Sequence, residues 1–452
     1  MFVNSATLAR SSRDAASARA KRALLVDAPR SAHPTVSSKR LRERLEALSV
    51  FGRPEGGTFG DGVSRVAYSD ADIQGRSYVM RLFREIRLAA RIDQAGNIIG
   101  RREGADAAAR PIVCGSHIDS VPNGGNFDGA LGVMAAIEAL QAIAEAGVTT
   151  RHPIEVVAWS REEGVAFGHG LFGSRAAVGE PVADELGQLW NAMTMAEAIK
   201  RIGGDPVHIT QARRAPGSIH CYLELHVEQG GILDKAHIPI GIVEGIVASD
   251  RSQVVIRGVA NHAGTTPMAD RHDALVAAAH LTLAVQSVVT AAPGRQVGTV
   301  GKLDVTPNAP GVIPGVVRMT IQLNDLSGDK VHRLSDEVKA RASEIASATR
   351  TDVEFISIGY HAAAATDPAI QEVIVDVSAA VGLKTTRLPS GAGHDAQMMA
   401  RLGPMAMIFV PSIGGISHSP QELTTWDDCS RGATVLLETI LKLDEMGLQG
   451  LD

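Results

Sequence analysis

Short apolar runs that stop on polar and glycine residues, with a helical stretch between one run and the next, constrain this chain most. Pro111-Ile-Val-Cys-Gly-Ser116 is such a run, and an Ala-rich helical pattern follows from Gly129 to Ala144. Ile154-Glu-Val-Val-Ala-Trp159, Tyr222-Leu-Glu-Leu225 and Met405-Ala-Met-Ile-Phe-Val410 repeat the strand pattern. Strands separated by helices predict an open, mostly parallel α/β sheet. The stretch from about Gly245 to Gly359 reads differently. Ser252–Arg257 is a strand, Asp273–Val289 a helix, Gln296–Leu303 and Val316–Leu323 strands, Asp329–Ala348 a helix and Val353–Ile358 a strand. That order is the split βαβ, ferredoxin-like pattern. Strands resume after it, so an α+β domain is expected to be inserted into the larger one. The expected units are an N-terminal extension over 1–37, a catalytic domain over 38–244 and 362–452, and the insertion over 245–361.

Length fits two or three domains, with 452 residues at roughly 150 per domain. A hydrophobic fraction of 45% excludes a disordered chain. With 44 basic and 50 acidic side chains, nucleic acid is not an expected partner. No window approaches roughly 20 uninterrupted apolar residues, so no membrane crossing is expected. Cys114, Cys221 and Cys429 are few and widely spaced. They imply no disulfide framework and fit a reducing, cytoplasmic setting, with Cys114 and Cys221 as core residues. The first forty residues are rich in Arg, Ser and Ala, a composition that overlaps with transit peptides and also suits a flexible extension or an over-extended start.

Open α/β sheets bind ligands at the carboxyl ends of their strands, and four predicted strands deliver His or carboxylate residues there. His117 and Asp119 are two apart and share a side in extended chain, which suits an imidazole oriented by a carboxylate. Asp128 follows in a Gly-rich loop, as a bridging ligand or as a helix N-cap. Glu162 and Glu163 are adjacent carboxylates that point apart, tolerable if one binds a cation and the other handles a proton. On its own that pair also reads as a solvated turn. His226 closes the third run, between Glu224 and Glu228, and His418 lies in a Gly/Ser loop after the fourth. Each signal is weak alone. Together at one sheet edge they favour a metal site. Three histidines, an Asp and a Glu suit Zn, Mn, Co or Ni. Five ligands exceed one tetrahedral zinc and fit a pair of ions, which lie roughly 3.5–4 Å apart in such sites. The remaining glutamate is then the general base.

The whole pattern resembles the metal-dependent amidases of the M20 superfamily, in the hydantoinase/carbamoylase branch, from about Arg40 onward. Gly115–Gly132, Glu162-Glu-Gly164, Glu224–Gly230, Asn261-His-Ala-Gly-Thr-Thr-Pro-Met268, Gly391-Ala-Gly-His-Asp-Ala396 and Ser417-His-Ser-Pro-Gln-Glu422 carry the likeness. The resemblance implies an amidohydrolase acting on a linear amide or carbamoyl (ureido) bond with two divalent ions, Zn foremost. It implies His117, Asp128, Glu163, His226 and His418 as metal ligands, with Asp128 bridging, and Glu162 as general base. Asp119 is implied as the partner of His117. His262 resembles the histidine that polarises the scissile carbonyl, often from the second subunit of a homodimer. Gln229, Asn261 and His394 are implied substrate contacts. Related peptidases usually carry a carboxylate where this chain has His226, which argues against a peptidase or deacylase. An intact ligand set and base argue against a non-catalytic metal-stabilised dimer.

One departure bears on the substrate, expected to be a small amide or ureide. The resembled family grips a substrate carboxylate with an Asn and an Arg. Here those positions are Gly311 and Asn324. A neutral amide cannot replace a guanidinium's two charge-assisted bonds. Arg318 shares the parity of Asn324 but lies some 20 Å along the strand. The expectation is a specificity shifted away from α-carboxylate substrates, or a carboxylate held by hydrogen bonds to Asn324.

Overall fold

The computed structural model describes residues 33–446. The chain enters a large sheet with β1 (Ala89–Ile92), β2 (Ile98–Arg102), β3 (Ile112–His117) and β4 (Ile154–Trp159). A small hairpin, β5 (Leu189–Trp190) and β6 (Met193–Thr194), lies outside it. β7 (Cys221–Val227) and β8 (Ile240–Ile246) continue the sheet. The chain then builds a second unit from β9 (Ala248–Arg257), β10 (Asn261–His262), β11 (Val297–Thr306), β12 (Val312–Ile313), β13 (Val316–Asp325) and β14 (Asp352–His361). It returns with β15 (Ala364–Ala365), β16 (Thr385–Ser390) and β17 (Met405–Val410).

The large sheet has nine strands in the order β1-β2-β4-β3-β7-β17-β8-β15, with β16 also on β8. Its centre, β4-β3-β7-β17, is parallel throughout. Every residue of these four strands is buried. This explains why they read as continuous apolar runs rather than alternating ones. Parallel neighbours bring their carboxyl ends to one edge, and that edge receives the polar clusters. One face is covered by the Ser38–Ser49, Asp70–Glu85, Ala130–Glu145 and Trp426–Glu445 helices, around Ile137, Leu140, Leu436 and Ile440. The opposite face packs around Trp159, Tyr222, Met407 and Phe409.

The second sheet runs β11-β13-β9-β14, all antiparallel. The Ala274–Ala291 and Gly328–Thr349 helices cover one face, burying Val254, Ile256, Val317, Met319, Ile321 and Leu323. The opposite face carries Ser249, Arg251, Gln322 and Asn324, which line a cavity. β8 stays in the large sheet through Ile246, one residue past the expected start of the insertion, and Val247 makes the crossing. Ala274–Ala291, with mean hydropathy 1.7, is long and apolar enough by composition to cross a membrane. Ala277, Leu281, Val285 and Val288 on it pack instead against the second sheet. The N-terminal extension falls mostly outside the described residues.

Candidate metal centre and active site

β3 ends on His117, and the chain turns at once so that its ring is held over the sheet edge. His117 Nδ1 lies 2.9 Å from the backbone carbonyl of Asp119. The Asp119 carboxylate is farther from that nitrogen, at 3.7 Å. It accepts instead from the backbone N–H of Glu162 (3.1 Å) and of Glu163 (3.2 Å). Asp119 therefore orients the imidazole through its backbone, and its side chain pins the segment after β4. The carboxylate also stays within ion-pair range of the ring it was expected to partner. The pinned segment follows Arg161, a non-glycine residue at φ +51°.

Asp128 sits where the Gly-rich loop meets its helix. Its Oδ1 lies 3.4 Å from His117 Nε2 and 3.2 Å from His226 Nε2, while its Oδ2 lies 3.3 Å from His418 Nε2. Glu163 completes the second side, 3.3 Å from His418 Nε2. Donor atoms of His117, Asp128 and His226 fall within 4.8 Å of one another, as do those of Asp128, Glu163 and His418. The groups share Asp128, which offers one oxygen to each. Glu162 belongs to neither group and lies 3.6 Å from His117 Nε2. Gly129 allows this closeness: at φ +60° a Cβ would stand 2.4 Å from His117 Nε2.

The electrostatics match a cation site. Burial first, then neighbouring carboxylates, holds Glu162 well above the usual carboxylate range. Burial and Asp128 push Glu163 up to about 8. His418 is pushed up to about 9 by its bond to Asp128. Burial works against charge on His117, but Glu162, Asp128 and Asp119 outweigh it and raise its pKa well above the usual value. Buried carboxylates facing imidazole nitrogens, with Glu163, His117 and His418 holding their protons unusually tightly, are a donor set in which divalent ions can replace those protons.

Two polar residues support Asp128 from outside the groups. Gln229 Nε2 donates to Asp128 Oδ2 at 2.7 Å. Glu422, which sequence reasoning gave no role, accepts from the backbone N–H of Phe127 and Asp128, both at 3.0 Å, and from Ser417 Oγ. Beneath His226, Glu224 accepts from Ser116 Oγ at 2.6 Å and from the Ala396 N–H at 3.0 Å. Glu228 turns away and caps the Ile232–Ala236 helix. His394 packs edge-on to His226 with ring centroids 4.5 Å apart.

A cavity of about 370 Å³ opens above this floor. His117, Asp128, Glu162, Glu163, Gln229, His394 and His418 line it from the large domain. Ser249, Arg251, Gln322, Asn324 and His361 line it from the second sheet. Asn324 thus reaches the cavity, buried, with its Oδ1 accepting from Gln322 Nε2 at 3.1 Å. Asn261, His262 and Gly311 do not line it. They sit together on the exposed β10–β12 ladder, where Asn261 pairs with Ile313 and His262 with Val312. Within one chain the structure therefore separates His262 from the reacting groups, and Gly311 from Asn324.

A profile of the Peptidase family M20/M25/M40 matches residues 113–442. The chain belongs to the M20 family. It is 38% identical over 410 residues to an N-carbamoyl-L-amino acid amidohydrolase of Geobacillus stearothermophilus, covering 90% of this chain and 99% of that one. It is 31% identical to a ureidoglycolate hydrolase of Arabidopsis thaliana, over 90% of this chain and 87% of the relative. A solved amidase of the hydantoinase/carbamoylase family from Burkholderia multivorans superposes with a TM-score of 0.85 at 32% identity, over 92% of this chain and 100% of that one. The matched region contains the His117, Asp128, Glu163, His226 and His418 cluster and Glu162.

Proposed function

We propose that this M20 enzyme hydrolyses a linear carbamoyl (ureido) C–N bond in a small molecule, using two divalent ions. The observation that carries the reading is the pair of donor groups joined through Asp128, with an uncommitted buried glutamate beside them. His117, Asp128 and His226 would hold one ion, and Asp128, Glu163 and His418 the other. Zn is the first expectation, with Mn, Co and Ni as alternatives. When bound, such ions activate water and polarise a carbonyl.

The chain's own residues supply the rest. Glu162 faces the cavity with its side chain 11% exposed. It takes a proton from the attacking water and delivers it to the leaving nitrogen. Asp119 holds the backbone that presents it. Gln229 fixes the orientation of Asp128. A carbamoyl substrate then gives amine, CO2 and ammonia. His226 and the relatives named as carbamoyl and ureido hydrolases support this bond over a peptide bond.

The dimer is part of the same proposal. His262 Nδ1 accepts from the N–H groups of Gly264 and Thr265, which leaves the neutral ring's proton on Nε2 as an exposed donor. A second copy would bring that donor to the cavity. Leu283 (63% exposed) on the Ala274–Ala291 helix and Leu303 (46%) on edge strand β11 are apolar surface for such a contact. The buried free thiols of Cys114, Cys221 and Cys429 support a cytoplasmic setting. The replacement of the family guanidinium by Asn324 removes the usual grip on an α-carboxylate from that position. Specificity then depends on the other groups of this wall.

The test is ammonia and amine release by metal-reconstituted protein against N-carbamoyl-α-amino acids, N-carbamoyl-β-alanine, allantoate, and carboxylate-free amides and ureas. Turnover of at least one ureido compound is expected. Hydrolysis of dipeptides or N-acyl amino acids alone would overturn the reading.

A further inference from the structure

Arg251 stands out on the cavity wall. It is exposed, lines the cavity, and has no hydrogen-bond or ion-pair partner among the described residues. Its cross-strand neighbours explain its freedom. On one side it faces Gln322, and on the other Gly359, which has no side chain. Gly359 follows a bulge between Ser357 and Gly359, a device that commonly re-aims side chains near active sites.

Two residues along β9, Ser249 faces the same cavity. It is 8% exposed, and its Oγ is buried with no hydrogen-bond partner. In register it pairs with Asn324 on one side and His361 on the other. Asn324 is thus a diagonal neighbour of Arg251, with backbones about 7–8 Å apart, within reach of a long side chain. Arg251 also contributes to the lowered pKa of the half-buried His361, after burial itself. The wall is therefore cationic, while the floor carries Asp128, Glu162 and Glu163. An unpaired guanidinium beside an unsatisfied hydroxyl, above an acid-rich floor, is a place for an anionic group.

We infer that Arg251, Ser249 and Asn324 form a carboxylate-binding subsite, so that the substrate is an anionic ureide anchored by the second sheet. Arg251 donates through its guanidinium, Ser249 through its hydroxyl, and Asn324 through the amide nitrogen left over from its bond to Gln322. This rests on the ureidohydrolase reading above and adds the substrate class. The charge absent at position 324 is supplied from the neighbouring strand.

The experiment compares N-carbamoylglycine with its neutral carboxamide, N-carbamoylglycinamide, on metal-loaded protein. Wild type is expected to favour the carboxylate on the order of 10²-fold in kcat/KM. Arg251→Gln should lose most of that factor, chiefly through KM, and leave the carboxamide within about twofold, since no group of the floor is touched. Arg251→Lys should fall between, because an ammonium keeps the charge and loses the fork. Unchanged carboxamide turnover also shows that the variant is folded. Equal losses on both compounds, or none on either, would overturn the inference and leave the ureidohydrolase reading standing. If wild type hydrolyses neither, the ureidohydrolase reading is decided by the wider panel above, and calorimetric binding of N-carbamoylglycine decides the subsite. Tighter binding to wild type than to Arg251→Gln supports it, and equal binding overturns it.

Discussion

Asp119→Asn is a sharp test, because the two roles available to this carboxylate predict different losses. The native side chain accepts one backbone N–H on each oxygen, from Glu162 and from Glu163. In asparagine one oxygen becomes a donor and confronts a donor. One bond is lost, and one largely buried N–H is left unpaired, at about 1–3 kcal/mol. The surviving bond also loses its charge assistance, so the pinned segment is destabilised by about 2–4 kcal/mol in all. Arg161 just before it, at φ +51°, adds strain that favours release. Glu162 and Glu163 then lose their placement together, and kcat should fall about 10²–10³-fold. His117 keeps its orienting bond, because that bond goes to the Asp119 backbone. On the two-ion proposal, binding at the Glu163–His418 position should therefore weaken by about tenfold or more relative to the His117–His226 position. Stepwise calorimetric titration of apoprotein with Zn2+, beside kcat measured at saturating metal, resolves the two. Equal weakening at both positions, or earlier loss of the His117 ion, would refute the pinning argument and return the carboxylate to the imidazole.

Glu162→Gln should keep both ions, since Glu162 belongs to neither donor group, and lose about 10²–10⁴-fold in turnover; metal content by mass spectrometry with near-normal kcat would remove it from the base role. Gly129→Ala should purify with less metal or fail to fold, because its Cβ would stand 2.4 Å from His117 Nε2 at a φ of +60°; full metal content would contradict the close approach. His220, depressed to about 4 by burial first and then by His152, predicts a pH effect on stability. Its folded pKa lies below the unfolded value of about 6.5, so the unfolded chain binds more protons between those values. Its contribution is full above about pH 6.5 and is lost as pH falls toward 4. His220→Gln should flatten that part of a plot of Tm against pH, and an unchanged slope would count against it.

The polar edge of the sheet was legible because its His and carboxylate residues sit at or just after buried parallel strands, where an apolar run ending in His or Glu is visible in one dimension. β17 matches its predicted span, and His117, His226 and Glu162–Glu163 fall where the runs stop. Other elements were hidden for physical reasons. Gly241 and Gly245 interrupt the apolar run of β8, and Pro389 with polar neighbours disguises β16. β9 begins at Ala248, earlier than read, because Ser249, Asp250 and Arg251 look like loop residues. They form a strand because one face of the second sheet opens onto the cavity. The subsite was invisible for the same reason: Arg251 is 73 positions from Asn324 in the chain, and only strand register makes them neighbours. Glu422 was quoted within a motif without a role, since its partners are backbone groups of a loop far away in sequence.

The cavity's floor and wall come from different sheets, joined where the chain crosses at Val247 and again between β14 and β15. The residues that would perform the reaction and the residues that would choose the molecule are thus inherited on separate structural modules. Side chains at positions 249, 251, 322, 324 and 361 point from a sheet whose own core, around Val254, Met319 and Leu334, includes no residue of the loops proposed to hold the ions. Substitutions there can redraw the range of accepted molecules while the chemistry stays intact. A lineage built this way can change its diet one side chain at a time.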